Sequence, residues 1–117
     1  MRTIVLTGEG LAFDDLRTLA REKVRLRAAP AALVRVRRSR AVIEKALRDG
    51  RTVYGVNTGF GRLSDTRIDP ERLDRLQENL LLSHSAGLGP PIRDTGLMIA
   101  LRANALLIGY SGVTPDL

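Results

Sequence analysis

In the stretch Tyr54-Gly55-Val56-Asn57-Thr58-Gly59-Phe60-Gly61, a short apolar run over residues 52–56 passes into a loop with three glycines within seven residues. The apolar run predicts a short strand. Glycine admits backbone angles closed to other residues, so the loop that follows can bend sharply, approach a ligand or hinge. Tyr54 stands at its mouth and is one of only two tyrosines in the chain. A phenol can donate or accept a proton, but it is so weak an acid that base chemistry at neutral pH needs a tuned environment. A plainer reading of the same residues is a strand, a glycine-rich turn and a half-buried tyrosine with a satisfied hydroxyl.

Downstream, Asp69-Pro70-Glu71 has the form of a helix start, with a capping acid, proline in the first turn and a second acid. Leu73, Leu76, Gln77, Leu80 and His84 then recur at three- and four-residue steps, so they share one helix face. Gly87-Leu88-Gly89 and Pro90-Pro91 end that helix. Gln77 and His84 are thus polar groups on an apolar stripe, and a buried polar group must find a partner. His84 is either a satisfied core histidine or a site residue. Asp94 can cap a last helix over residues 95–108, stopped by Gly109. Only Arg102 and Asn104 interrupt its apolar surface, and a helix apolar on all sides is normally surrounded by protein. Two other helices of any length cannot cover it. Residues 1–117 therefore read as a single incomplete unit, expected to leave an apolar surface for further chain or other subunits.

Upstream, Thr3-Ile4-Val5-Leu6 predicts a strand and Thr7-Gly8-Glu9-Gly10 a turn. A short helix over 13–22 follows, with Asp14 and Asp15 at the positive end of its dipole. Residues 24–27 alternate apolar and charged and predict an extended segment. Pro30 then opens a helix that Asp49-Gly50 closes, with Leu33, Val36, Ile43 and Leu47 as its apolar stripe.

The composition narrows the classes. At 117 residues the chain offers one modest core. There is no cysteine and one histidine, which excludes a disulfide framework and disfavours any zinc site, so no metal is expected. No leader and no apolar run of membrane-spanning length occurs, which predicts a soluble cytoplasmic protein without membrane partners. The net charge of +6 is carried almost wholly by arginine, densest at Arg35-Val36-Arg37-Arg38-Ser39-Arg40. A nucleic-acid-binding helix would use such a patch, but at 3% aromatic residues the chain lacks the platform on which bases stack. A solvated or subunit-contacting face is the simpler account, and no nucleic-acid partner is expected.

Two signatures, Tyr54-Gly-Val-Asn-Thr-Gly-Phe-Gly61 and Leu76-Gln-Glu-Asn-Leu-Leu-Leu-Ser-His-Ser-Ala-Gly87, occur in order, with Gly109-Tyr110-Ser111-Gly112 beyond them. Together they resemble the amino-terminal segment of the aromatic amino acid ammonia-lyase family, over nearly the whole chain. The resemblance implies a mainly α fold, the amino-terminal portion of a helical-bundle lyase. Short strands are expected near the amino terminus and around the Tyr54 loop. It implies elimination of ammonia from an amino acid, in a homotetramer whose sites combine several chains. Tyr54 matches the family's base for the β proton, and Gly61 a loop glycine beside it. The loop itself resembles a mobile lid. His84 matches the position that reads the substrate side chain, with Ser83 beside it.

The Ser83-His84 pair resembles the histidine-specific members, which form urocanate, and also the tyrosine aminomutases; a tyrosine lyase is the further alternative. Family members carry a methylidene-imidazolone group made from an Ala-Ser-Gly triplet. No such triplet occurs here, since Ser111-Gly112 follows Tyr110. The 117 residues are therefore expected to be inactive alone. A non-catalytic interaction module, which would tolerate loss of Tyr54, and a basic nucleic-acid binder, which would show steep salt dependence, are the readings from other classes.

Overall fold

The structure, a computed structural model, describes residues 1–117. They form two compact units, one of residues 1–42 with 91–117 and one of residues 43–90.

In the first unit, strand β1 (Thr3–Leu6) buries alternate residues, Ile4 and Leu6, as an extended chain with one covered face must. It pairs in parallel with β2 (Arg25–Ala28), in the register Thr3 with Arg25 through Leu6 with Ala28. Parallel neighbours need a crossover, and helix α1 (Phe13–Arg21) supplies it. Thr18 is the buried residue of α1; its hydroxyl donates to the Asp14 carbonyl at 2.8 Å and accepts from Arg2 at 3.1 Å. Arg2 also pairs with Asp15 at 2.9 Å, although the Arg2 side chain is 52% exposed and such pairs contribute little.

Helix α2 (Pro30–Arg48) starts and stops where proline and the Asp49-Gly50 pair predict. Ala32 and Val36 join Ile4, Leu6 and Leu107 as the core of the first unit. Arg35 reaches across to the chain's last helix, α4 (Thr95–Leu106): its guanidinium donates to the carbonyls of Thr7, Leu107 and Ile108. The last two are carbonyls at a helix end with no partner inside the helix, so a cation is well placed there.

Helix α4 is apolar nearly all round, as its sequence predicts, and most of that surface stays open. Ile99 is 61% exposed and Met98 50%. An open apolar groove of about 900 Å³ runs beside it, lined by Leu33, Val36, Met98, Ala103 and Leu106 among others. Asn104, which reads from the sequence as a polar break in that surface, is instead buried. Its Oδ1 accepts the Gly8 N–H at 2.9 Å and its Nδ2 donates to the Glu9 carbonyl at 2.6 Å. The turn after β1 is thereby tied to α4. Gly8 lies close against it, at φ 81°, and a Cβ there would stand 2.5 Å from the Leu107 carbonyl oxygen. Asn104→Leu keeps the volume and deletes both bonds, leaving a donor and an acceptor unpaired. It is expected to cost about 1–3 kcal/mol in denaturant unfolding; an unchanged midpoint would show that water satisfies both groups.

The second unit holds the end of α2, the Tyr54 loop, short 3-10 turns at Gly61–Leu63 and Pro70–Arg72, and helix α3 (Leu73–His84). Three expectations are corrected. Residues 52–56 form no strand, since 52 and 53 are irregular and 54–56 a turn; the only pairing beside the loop is one antiparallel bridge, Thr58 with Arg67. Asp69 and Asp94 precede helices, but neither side chain makes a capping bond. In α3, Leu73, Leu76 and Leu80 are half-buried while Gln77 and His84 are exposed, so the two polar residues are not buried in the stripe.

Candidate active site

The Tyr54 loop is built on a tight turn. The Val56 N–H donates to the Val53 carbonyl at 3.0 Å and the Asn57 N–H shares that acceptor at 3.2 Å. Gly55 lies between them at φ 75°. A positive angle at the third residue of a hydrogen-bonded four-residue turn is the mark of type II, which selects glycine there. A side chain at that angle costs about 1–2 kcal/mol. Tyr54 is therefore the second residue of the turn and points outward, 63% exposed. Its ring meets Phe60 edge to face, with centroids 5.9 Å apart and planes at 70°.

Beneath the tyrosine are two buried polar side chains. Asn57 accepts the Val53 N–H and donates to the Arg51 carbonyl, both at 2.8 Å. Thr58, which has no exposed surface, accepts the Gly55 N–H at 3.3 Å and donates to the Gly59 carbonyl at 2.9 Å. The far side of the loop is closed by backbone bonds from Ile68 to Asn57 at 2.9 Å and from Gly59 to Thr66 at 3.0 Å. Gly61 opens the following 3-10 turn at φ 58°, with open space where a Cβ would project.

Ser83 and His84 sit together at the end of α3. The Ser83 hydroxyl donates to the Leu80 carbonyl at 3.1 Å. His84 Nδ1 lies 3.0 Å from that same carbonyl and 2.9 Å from Ser83 Oγ. A carbonyl only accepts, so the Nδ1 proton is assigned to that nitrogen. Nε2 of the neutral ring is then an acceptor, on a side chain open to solvent. Ser83 and Leu80 together thus set the tautomer of His84. No hydrogen bond or ring contact joins this pair to Tyr54; of the four expected residues, Tyr54 and Gly61 lie on the glycine-rich loop, while Ser83 and His84 meet at the end of α3.

Asn57, Thr58 and Phe60 hold or contact the Tyr54 turn, which the glycine spacing does not disclose. The signal available was an Asn-Thr pair inside an otherwise apolar and glycine-rich run. No cluster of three His, Cys, Asp or Glu side chains could hold a metal ion, and no helix is long and apolar enough to cross a membrane. The one Ser-Gly pair does not suit an internally made electrophile. Besides following Tyr110, Gly112 is buried and tied down, its N–H donating to Ser39 Oγ at 3.0 Å and its carbonyl accepting from Arg40 at 3.4 Å.

Residues 11–117 match the family model for aromatic amino acid lyases. The chain belongs to that family. It is 48% identical over 114 residues to the histidine ammonia-lyase of Geobacillus thermodenitrificans (strain NG80-2), covering 96% of this chain and 23% of that protein. The crystal structure of histidine ammonia-lyase from Trypanosoma cruzi is similar with a TM-score of 0.88 and 41% identity, over 99% of this chain and 23% of that one. Tyrosine aminomutase from Streptomyces globisporus is similar with a TM-score of 0.86 and 31% identity, over 97% and 22%. The chain thus spans about a quarter of the length of these lyase-family relatives and corresponds to their amino-terminal part.

Proposed function

We propose that these residues are the amino-terminal part of an ammonia-lyase that converts L-histidine to urocanate and ammonia, with Tyr54 as the base. The observation that carries this reading is the 48% identity to a histidine ammonia-lyase, over a segment that includes both the Tyr54 turn and the Ser83-His84 pair. In the reaction a C–H bond beta to the carboxylate breaks and its proton passes to the Tyr54 oxygen. The C–N bond breaks, the electron pair of the former C–H bond forms the new double bond, and ammonia leaves. An outward phenol on a hydrogen-bonded turn can meet such a hydrogen, and closure of a pocket that also brings a positive or electron-poor group beside it would favour the phenolate that a base needs. His84 Nε2 accepts a hydrogen bond from the N–H of the substrate ring.

Residues 1–117 offer nothing that activates the amine as a leaving group. That chemistry, a methylidene-imidazolone in the resemblance, is assigned to chain outside this segment, and the segment by itself is inactive. The same reading makes the complete enzyme a cytoplasmic homotetramer acting on a small amino acid. Tyrosine is the second candidate substrate, because the acceptor on His84 suits a phenol O–H equally and a tyrosine aminomutase shares the fold at 31% identity.

The test is an absorbance assay for the unsaturated acid, run with the full-length lyase and with residues 1–117 alone, beside size measurement and apolar-dye binding on both. The full-length enzyme is expected to release urocanate from histidine. The segment alone is expected to be inactive, to bind dye along the α4 groove and to self-associate. Turnover by the isolated segment would refute the division of labour, and preference for tyrosine would install the second reading.

A further inference from the structure

We propose that Asn57 and Thr58 are positioning residues for Tyr54, fixing the orientation of the base through the backbone on either side of it. The inference rests on the assignment of Tyr54 as base and adds how that base is held.

Tyr54 is not held by packing. Its side chain is 63% exposed and its one ring contact is the edge of Phe60. Its direction is therefore set by the backbone on either side of it, and a buried side chain holds one N–H on each side, while the Val53 carbonyl just before it accepts the turn's own Val56 and Asn57 N–H groups. The Val53 N–H is taken by Asn57 Oδ1 and the Gly55 N–H by Thr58 Oγ1. The second polar atom of Asn57 holds the Arg51 carbonyl, and the hydroxyl proton of Thr58 the Gly59 carbonyl, so the clamp extends beyond the turn at both ends.

Asn57 is 3% exposed and Thr58 has no exposed surface, yet no buried polar side-chain atom lacks a partner. Two adjacent polar side chains buried under a surface turn are a costly choice if the aim is packing alone, since apolar residues would fill the space without bonding demands. What they supply is a single turn geometry. A catalytic group displaced by about 1 Å can lose on the order of 10²-fold in rate.

The experiment uses the full-length lyase. Thr58→Val keeps the shape and deletes both bonds, while Thr58→Ser keeps the hydroxyl. Thr58→Val is expected to lower kcat by about 10²-fold with KM unchanged, and Thr58→Ser to restore kcat. Asn57→Asp, which keeps size and one acceptor but opposes the Arg51 carbonyl, provides the same reading should Thr58→Val fold poorly. The deciding measurement is the Tyr54→Phe/Thr58→Val double variant, whose kcat is expected to equal that of Tyr54→Phe alone.

A merely structural defect would instead lower both backgrounds in proportion, and that result overturns the proposal, as does wild-type kcat in Thr58→Val or Asn57→Asp. If Tyr54→Phe itself retains turnover, the base assignment has failed and the proposal falls with it. If Tyr54→Phe is impaired and the Asn57 and Thr58 variants are not, only the positioning role fails.

Discussion

Tyr54→Phe in the full-length lyase is expected to lower turnover by about 10²–10⁴-fold, the usual cost of removing a general base. Substrate affinity should change little. The structure explains why this substitution is clean. The tyrosine is the second residue of a turn whose geometry belongs to the Gly55 angle and to the bonds of Asn57 and Thr58, none of which involves the phenol. Phenylalanine keeps the edge contact with Phe60 and removes only the oxygen. Stability and folding should therefore be unaltered, so a fall in kcat reports on chemistry. Turnover close to wild type in Tyr54→Phe would remove the tyrosine from the reaction.

His84→Leu should change which substrate the enzyme prefers. The imidazole is exposed and its hydrogen bonds are to Ser83 and to the Leu80 carbonyl in the preceding turn, so the substitution removes little packing in this segment. What it removes is the Nε2 acceptor. A ring with a donor, in histidine or tyrosine, loses a hydrogen bond, and phenylalanine loses nothing. The ratio of kcat/KM for the polar substrate to that for phenylalanine should fall about ten- to a hundredfold, the value of one such bond at roughly 1–3 kcal/mol. Efficiencies for the three amino acids in one buffer decide it. Equal proportional losses would show that His84 does not read the side chain.

Helix boundaries were legible where backbone chemistry forces them. Pro30 and Asp49-Gly50 bracket α2 because proline suits a first turn and Gly50, at φ 66°, the end of a last one. The alternation at Ile4 and Leu6 likewise marks β1. Residues 52–56 read as a strand in the sequence because their apolar character is shared by strands and turns. Asn57 side-chain bonds to Arg51 and Val53 take over backbone groups that a ladder would otherwise pair. In the sequence Asn104 is only a break in an apolar surface, since its partners, Gly8 and Glu9, lie 96 and 95 residues away. At the candidate site, Tyr54 and His84 are nominated by the signatures around them. Asn57 and Thr58 are not, because a buried role shows only once the turn is closed.

The two units also differ in how they are drawn from the chain. Residues 43–90 are contiguous, so that unit can assemble from local contacts as soon as it leaves the ribosome. The other unit is discontinuous. Its first strand ends at Leu6, yet the guanidinium of Arg35 bridges Thr7 to Leu107 and Ile108, which are made about a hundred residues later. During synthesis Ile4 and Leu6 must wait, with the Leu107 side of their core still missing, until the α4 helix emerges. Strand β1 is thus made well before the helix that completes its cover, so the core of this unit closes only across a long stretch of chain.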